Sequence, residues 1–256
     1  TPTRELAVQI AENFKDYGLG LNIRVTLAYG GVAIGPQIRT LHDGVEVLIA
    51  TPGRLLDLMQ QNKVSLKSVE TFILDEADRM LDMGFINDIK KVIANLPRAR
   101  QTILFSATMP KEIETLSNTI LINPVRVDVA PPATTAEKVE QSVMLVETAN
   151  KRDLLRHLLA KPEFKRVIVF TRTKHGANRV AEVLNKNKIS CDAIHGNKSQ
   201  NARIRSIENL KAGKIQVLIA TDVAARGIDI DNITHVINYD VPNVAESYVH
   251  RIGRTA

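Results

Sequence analysis

The sequence predicts an α/β fold made of two parallel-sheet domains in tandem. Short apolar runs typical of buried strands alternate with helical apolar stripes, and this alternation favours parallel sheets, because the crossover to a parallel strand usually contains a helix. The pentapeptide Val-Leu-Ile-Ala-Thr occurs at 47–51 and again at 217–221, and each copy closes a predicted strand. Between them, the aperiodic segment Ala-Pro-Pro-Ala-Thr-Thr at 130–135 suits an extended linker.

We therefore expect a first domain at 1–128, a linker at 129–138 and a second domain at 139–256, with both sheets incomplete at the chain ends. In the first domain, a helix from Arg4 carries the apolar stripe Leu6, Ile10, Phe14 and Tyr17, and predicted strands end at 51, 75 and 105. In the second, the helical stripe Ala177, Val180, Ala181 and Leu184 precedes strands that end at 221 and 238. Strand ends of the two copies are expected to face each other across a cleft, where ligands commonly bind.

Composition allows a polyanionic partner and excludes several other classes. The 256 residues include 34 basic and 28 acidic side chains, and aromatic residues are only 4%, so contacts to a nucleic-acid backbone are expected to outweigh base stacking. Cys191 is the single cysteine; this excludes an internal disulfide, favours a cytoplasmic protein and is typical of a buried apolar position. No apolar run reaches membrane-spanning length, and no Cys/His cluster has the spacing of zinc ligands.

Three carboxylates follow the apolar run 69–74: Asp75, Glu76 and Asp78. Adjacent anions at the end of a buried strand are easiest to tolerate beside a cation, and Mg²⁺ with nucleotide phosphates is the usual one in α/β enzymes. The alternative is a helix start, where acidic residues suit the macrodipole and Asp is a good cap. Taken alone, the tetrapeptide favours neither interpretation.

Three further turns or helix starts in the first half suit phosphate groups. Thr51-Pro52-Gly53-Arg54 combines a capping hydroxyl, a first-turn proline, a glycine that admits close approach and a guanidinium. Gly30-Gly31 admits a backbone, and the segment from Thr1 to Glu5 repeats the cap-and-proline pattern. Ordinary capping and turns explain each turn equally well. Together they predict a track of phosphate contacts, which suits a nucleic-acid strand better than a small ligand.

The remaining candidates are strand-end hydroxyls and basic residues. Ser106-Ala107-Thr108 either caps a helix or hydrogen-bonds the carboxylates of residues 75–78. The loop at 221–229 contains a hydroxyl, carboxylates, an arginine and a glycine, a mixture that favours function. Gln200 and Arg203 are either a surface pair or a binding pair. The closing segment, His250-Arg251-Ile252-Gly253-Arg254, is either a solvated helix face or, beside a Mg²⁺ site, an arginine finger.

These segments, in this order, resemble the DEAD-box family of ATP-dependent RNA helicases. The family name is spelled by residues 75–78, and the segments at 2–7, 30–31, 51–54, 106–108, 220–229 and 250–255 match its other motifs over nearly the whole chain. The residue sequence at 195–200 resembles that of the bacterial branch of the family. Any single match is weak, whereas the ordered set is highly specific.

The resemblance implies two RecA-like domains that close over ATP and a single RNA strand. Asp75 would hold Mg²⁺ through water, and Glu76 would orient or deprotonate the attacking water. Asp78 and His250, with Arg251 nearby, would couple that site to Ser106 and Thr108, while Asp229 would touch the ribose and Arg254 the γ-phosphate. The residues implied to contact the RNA backbone are Arg4, Gly31, Thr51, Gly53, Arg54, Arg203 and Thr221.

The pattern G-x-x-x-x-G-K-[ST], which cradles phosphates, does not occur in the 256 residues, and the last family arginine would fall after Ala256. The chain is therefore expected to be an internal piece with little ATPase activity of its own. Two rivals remain: an RNA-binding module that does not hydrolyse ATP, and a DNA helicase or translocase with the same core.

Overall fold

Two units, Thr1–Val127 and Asp128–Ala256, make up the chain. The computed structural model describes residues 1–129, 139–222, 230 and 232–255. Most of the predicted linker at 129–138 and most of the 221–229 loop, including Asp229, therefore lie outside the described residues.

The first unit alternates strands and helices, beginning with a helix. Its elements are α1 (Arg4–Tyr17), β1 (Val25–Ala28), α2 (Ile34–His42), β2 (Val47–Ala50), α3 (Pro52–Gln60), β3 (Thr71–Leu74), α4 (Ala77–Asp82), α5 (Ile86–Ile93), β4 (Gln101–Leu104) and α6 (Lys111–Ile120). Strand β1 pairs with β2 and strand β3 with β4, both in parallel. Within the described residues the two pairs form separate sheets.

The second unit has the same alternation around one larger sheet. After a short 3-10 turn at Thr148–Asn150 come α7 (Lys151–Leu159), β5 (Val167–Phe170), α8 (Lys174–Lys186), β6 (Cys191–Ile194), α9 (Gln200–Lys211), β7 (Val217–Ala220), β8 (His235–Asn238) and α10 (Ala245–Ile252). The sheet order is β6-β7-β5-β8, with every ladder parallel. The parallel arrangement predicted from the alternation is therefore observed in both units.

The repeated pentapeptide occupies equivalent strands, β2 and β7, but the two copies differ in burial. All four residues of β7 and of β5 are buried, because these central strands are covered on both faces, as parallel sheets require. In β2 only Ile49 is fully buried. Apolar side chains of α7 and α8 pack on one face of the larger sheet and those of α9 on the other.

The predicted helix stripes had different outcomes. Ala177, Val180, Ala181 and Leu184 are all buried on α8, as expected. The stripe on α1 is wrong over its second half, since Phe14 is 37% exposed and Tyr17, the last helical residue, is 84% exposed. Cys191 is buried as predicted, and burial raises the pKa of its thiol to about 12. None of the helices that the structure describes is both long and apolar enough to cross a membrane.

Candidate functional site

The carboxylate turn of the first unit is joined to the end of β4 by backbone hydrogen bonds. Phe105 donates its N–H to Leu74 O at 2.8 Å, and Ala77 donates to Phe105 O at 3.0 Å. Between these bonds Glu76 adopts a left-handed conformation, with φ 54° and ψ 53°. That region costs a residue with a Cβ roughly 1–2 kcal/mol, so the neighbouring bonds must hold the strained turn in place.

Asp78 is buried in this turn and has a complete set of partners. Its Oδ2 accepts hydrogen bonds from the Thr108 N–H at 2.8 Å and the Thr108 hydroxyl at 2.9 Å, and its Oδ1 accepts from the Arg79 N–H at 3.0 Å. The Asp78 N–H donates to Ser106 Oγ at 3.1 Å, and that hydroxyl donates to Thr108 O at 2.7 Å. The predicted hydroxyl-to-carboxylate contact therefore exists for Thr108 but not for Ser106, whose hydroxyl contacts the backbone of Asp78 and Thr108 instead. The donors to Asp78 offset the cost of burying its charge.

Glu76 pairs with an arginine that the sequence analysis did not single out. Arg79 Nη1 lies 3.2 Å from Glu76 Oε1 and 3.3 Å from Oε2. The side chain of Arg79 is 6% exposed and that of Glu76 is 28% exposed. The i,i+3 spacing on a predicted helix start was the available signal for this pair.

The helix-start interpretation of the four-residue segment 75–78 is correct only in part. Helix α4 does begin at Ala77, but Glu76 at its N-cap position makes no side-chain cap bond, so the capping role is wrong. Asp75 is partly exposed at the end of β3, and within the described residues its carboxylate accepts no hydrogen bond. One available carboxylate fits a Mg²⁺ ion that keeps several waters and is otherwise held by phosphates. No group of three or more His, Cys, Asp or Glu among the described residues could hold a metal by itself.

The ends of β1 and β2 lie side by side because Ala28 and Ala50 are partners in the parallel register. Thr51 donates its N–H to Ala28 O at 2.9 Å, and this bond brings the loops after both strands together. The Thr1 nitrogen donates to Ala50 O at 3.1 Å, and Thr1 lies near Asp75 and Glu76. The phosphate-type turns and the carboxylate turn therefore share one edge of the first unit.

Arg4 and Gly31 are in close contact at this edge. Gly31 has φ +82°, and a Cβ added there would overlap the Arg4 guanidinium. Thr3 caps α1 by accepting the Leu6 N–H at 3.3 Å, so Pro2 precedes the helix instead of opening it as the cap-and-proline pattern predicted. A glycine is thus required at position 31 both by the backbone conformation and by the arginine beside it.

Helix α3 differs from the prediction at its first residues. Pro52 opens the helix as expected, but Thr51 makes no side-chain cap bond, so its predicted capping role is wrong. Arg54 donates from Nη1 to Gln37 Oε1 and from Nη2 to Val32 O, both at 3.0 Å. The Arg54 side chain is 11% exposed, and it ties α3 to the loop after β1. Gln37, which anchors this link, gave no signal in the sequence.

Gly53 has a different environment from Gly31. It lies at the second position of α3 and is exposed, and a Cβ added there would meet nothing within 4 Å. Glycine lowers helix stability relative to alanine by roughly 0.5–1 kcal/mol. The fold of the first unit therefore gives no reason for glycine at position 53.

In the second unit, Arg251 connects several strand ends. Its guanidinium donates to Asp222 from Nε at 2.6 Å and from Nη2 at 2.8 Å, and from Nη1 to Asn238 Oδ1 at 2.8 Å and Asp240 O at 2.7 Å. It also lies over the Phe170 ring, 4.8 Å from its centroid. The side chain is 3% exposed, so the solvated-helix interpretation is wrong for Arg251.

The other candidates of the second unit are placed as follows. Helix α10 ends at Ile252, so Arg254 lies in the turn beyond it rather than one turn along the helix from Arg251. Gln200 and Arg203 are both buried in the first turn of α9, so their interpretation as a surface pair is wrong. Thr221 directly follows β7. Asp229 lies outside the described residues.

Two family models match the chain. The model described as "DEAD/DEAH box helicase" matches residues 1–116, and the model described as "Helicase conserved C-terminal domain" matches residues 150–256. The crystal structure of a DEAD box protein from Methanococcus jannaschii is 40% identical to this chain, with a TM-score of 0.51; the match covers 99% of this chain and 68% of that one. The chain belongs to the DEAD-box helicase family.

Other family members agree in fold and name. The structure "S. cerevisiae Dbp5 bound to RNA and ADP BeF3" has a TM-score of 0.82 and 31% identity, covering 99% of this chain and 66% of that chain. The curated "ATP-dependent RNA helicase DBP2" of Gibberella zeae is 46% identical over 99% of this chain and 47% of its own length. This chain thus spans about half the length of the curated relatives it matches. The RecA-like α/β fold expected from the resemblance is confirmed.

Proposed function

We propose that this chain forms the core of an ATP-dependent RNA helicase, which in the full-length protein couples RNA-stimulated ATP hydrolysis to local unwinding of RNA duplexes or remodelling of ribonucleoproteins. The contact of the buried Asp78 carboxylate with Thr108 carries the proposal. It joins the carboxylate turn to the segment after β4. A structural change at the nucleotide would therefore also move the residues at the end of this second strand. The names of the relatives support ATP and RNA as the ligands.

The nucleotide roles follow from the carboxylate turn. Asp75 would hold Mg²⁺ through water, and the bound ion would neutralise charge on the phosphates. Glu76 would orient the attacking water or accept its proton. Arg254 would contact the γ-phosphate and Asp229 the ribose.

RNA would lie along the strand-end loops and be held mainly by its backbone. In the first unit, the contacts would come from Arg4, Gly31, Thr51, Gly53 and Arg54, which one sheet edge brings together. In the second, they would come from Arg203 and Thr221. Phosphate and 2′-hydroxyl contacts of this kind carry little base specificity.

Coupling between the ligands would use the hydrogen-bonded groups at the strand ends. Asp78, Ser106 and Thr108 would transmit changes from the carboxylate turn, with His250 and Arg251 as their counterparts in the second unit. The domain assignment (1–128, linker 129–138, 139–256) and a cytoplasmic location are part of the same proposal.

Binding competition tests the RNA assignment. We expect fluorescein-labelled single-stranded RNA to be displaced from the 256-residue polypeptide by unlabelled RNA at lower concentration than by DNA of equal length and sequence. A 2′-hydroxyl-dependent preference supports an RNA helicase. Equal displacement by both strands would instead favour a DNA helicase or translocase.

A second candidate is an RNA-binding module that does not hydrolyse ATP. The 256-residue polypeptide contains no G-x-x-x-x-G-K-[ST] pattern, and that loop normally cradles the β- and γ-phosphates. We expect this polypeptide to have little or no ATPase activity even at saturating RNA. Robust turnover would show that the phosphates are held in another way and would exclude the module.

A further inference from the structure

Helix α4 places an arginine where an apolar side chain would ordinarily be more stable. Arg79 is buried on the same helix as Ala77 and Met80, which belong to the apolar core of the first unit. Among the described residues, its guanidinium makes hydrogen bonds only with Glu76. Replacing a buried ion pair with apolar groups of similar volume is often neutral or stabilising. The fold by itself therefore does not account for Arg79.

The backbone around Glu76 is already fixed, so the remaining freedom lies in its side chain. Ala77 and Asp78 both donate their N–H groups to the segment after β4. Arg79 lies three residues along and reaches back so that one nitrogen, Nη1, faces both carboxylate oxygens. This contact restricts the rotation that the backbone bonds leave open.

We propose that Arg79 is a positioning residue for Glu76: it holds the carboxylate in one orientation at the carboxyl end of β3. The inference rests on the proposed function, in which Glu76 acts on the attacking water. A general base is effective only within hydrogen-bond reach of the proton it takes. Restricting its side chain keeps the carboxylate where that reach is available.

Unequal burial of the two partners separates this role from a purely structural one. Water can solvate the Glu76 carboxylate if Arg79 is replaced, because Glu76 is partly exposed. The Arg79 guanidinium has no such access if the charge of Glu76 is removed. We therefore expect Glu76→Gln to destabilise the first unit and Arg79→Met to leave its stability nearly unchanged. The double variant, which carries both substitutions, should have a stability close to that of Arg79→Met.

The test compares these variants in the 256-residue polypeptide. Hydrogen-exchange mass spectrometry of peptides spanning 71–82 reports the stability of the turn. Carbodiimide-coupled amine labelling at one fixed pH, read by mass spectrometry, reports access to each carboxylate. Lys91→Met is the matched control, because Lys91 forms an exposed i,i+3 pair with Asp88 in the same unit.

We expect Arg79→Met to raise the labelling rate of Glu76 several-fold, Arg79→Lys to give an intermediate rate, and Asp78 labelling and exchange at 71–82 to remain as in the parent. Lys91→Met should change none of these. Unchanged Glu76 labelling in Arg79→Met would overturn the proposal. Faster exchange at 71–82 in Arg79→Met, as large as in Glu76→Gln, would also overturn it, since Arg79 would then serve the fold. Neither RNA binding nor ATP hydrolysis is measured in this experiment, so a failure of this proposal is distinguishable from a failure of the proposed function.

Discussion

Replacing Gly53 with alanine should stabilise the first unit while weakening RNA binding. A Cβ at this position meets nothing within 4 Å, so the substitution adds helix propensity without a clash, worth roughly 0.5–1 kcal/mol. For a unit of this size that free energy corresponds to a rise in Tm of about 2–4 °C. In the RNA complex, by contrast, the added methyl group would clash with an RNA phosphate that approaches the start of α3.

The expected loss of affinity follows from the contact that the methyl group displaces. A charge-assisted hydrogen bond contributes about 1.5–3 kcal/mol, so its loss should raise Kd roughly 10- to 100-fold. Fluorescence anisotropy with labelled single-stranded RNA measures this at one fixed salt concentration, because phosphate contacts are strongly salt-dependent.

Gly35 provides a matched control. It occupies the second position of α2, as Gly53 does in α3, and a Cβ added there also meets nothing within 4 Å. Gly35→Ala should raise Tm by a similar amount and leave Kd unchanged. If Gly53→Ala is stabilised yet binds RNA as tightly as the parent, close approach of a phosphate at α3 is refuted. If Gly53→Ala lowers Tm, the argument from open space is wrong as well.

Three other predictions concern stability. Thr108→Val removes the hydroxyl bond to Asp78 and should lower the free energy of unfolding of the first unit by about 1.5 kcal/mol, measured by urea denaturation. Arg251→Met removes the bidentate contact to Asp222 and also the donor to Asn238 Oδ1 and Asp240 O, so it should cost the second unit about 3 kcal/mol, seen as faster proteolysis; unchanged resistance would contradict a structural role. Burial lowers the pKa of both His195 and His235 below the ordinary 6.5, so folding favours their neutral forms. Their stabilising contribution is complete above pH 6.5 and is lost as pH falls from there through the folded pKa. A urea-denaturation midpoint that rises on acidification through this range would contradict the lowered pKa of these histidines.

Patterns that depend on local chemistry were read correctly from the sequence. The strand-end position of the carboxylates, the start of α1 at Arg4 and the proline that opens α3 all follow from residue type and spacing. The pairing of β1 with β2 and the sheet order of the second unit could not be read in this way, because register depends on contacts between residues far apart in sequence.

Errors arose where a side chain had two uses of similar chemical plausibility. Thr51 was expected to cap a helix, yet it makes no such bond, whereas Thr3 in a similar sequence context does. Arg251 was open to interpretation as a solvated residue, because its partners Asn238 and Asp240 come from a different strand end. Burial of a polar side chain is decided by tertiary packing, and periodicity within one helix does not report it.

Three features of the first unit each lower its stability, and all lie where strands end. Glu76 has a left-handed backbone, Gly53 weakens the start of α3, and Arg79 places a charge in an apolar core. Each has a simple replacement that the fold would tolerate or favour. Such departures from local preference are expected at functional sites, where a ligand rather than the fold determines the residue. Elsewhere in the unit the apolar core of α4, α5 and α6 follows ordinary packing. Left-handed backbone also occurs in this unit at Asn62 and Asn123, but asparagine tolerates that conformation. The costs at Glu76, Gly53 and Arg79 lie near the carboxylates and the phosphate-type turns.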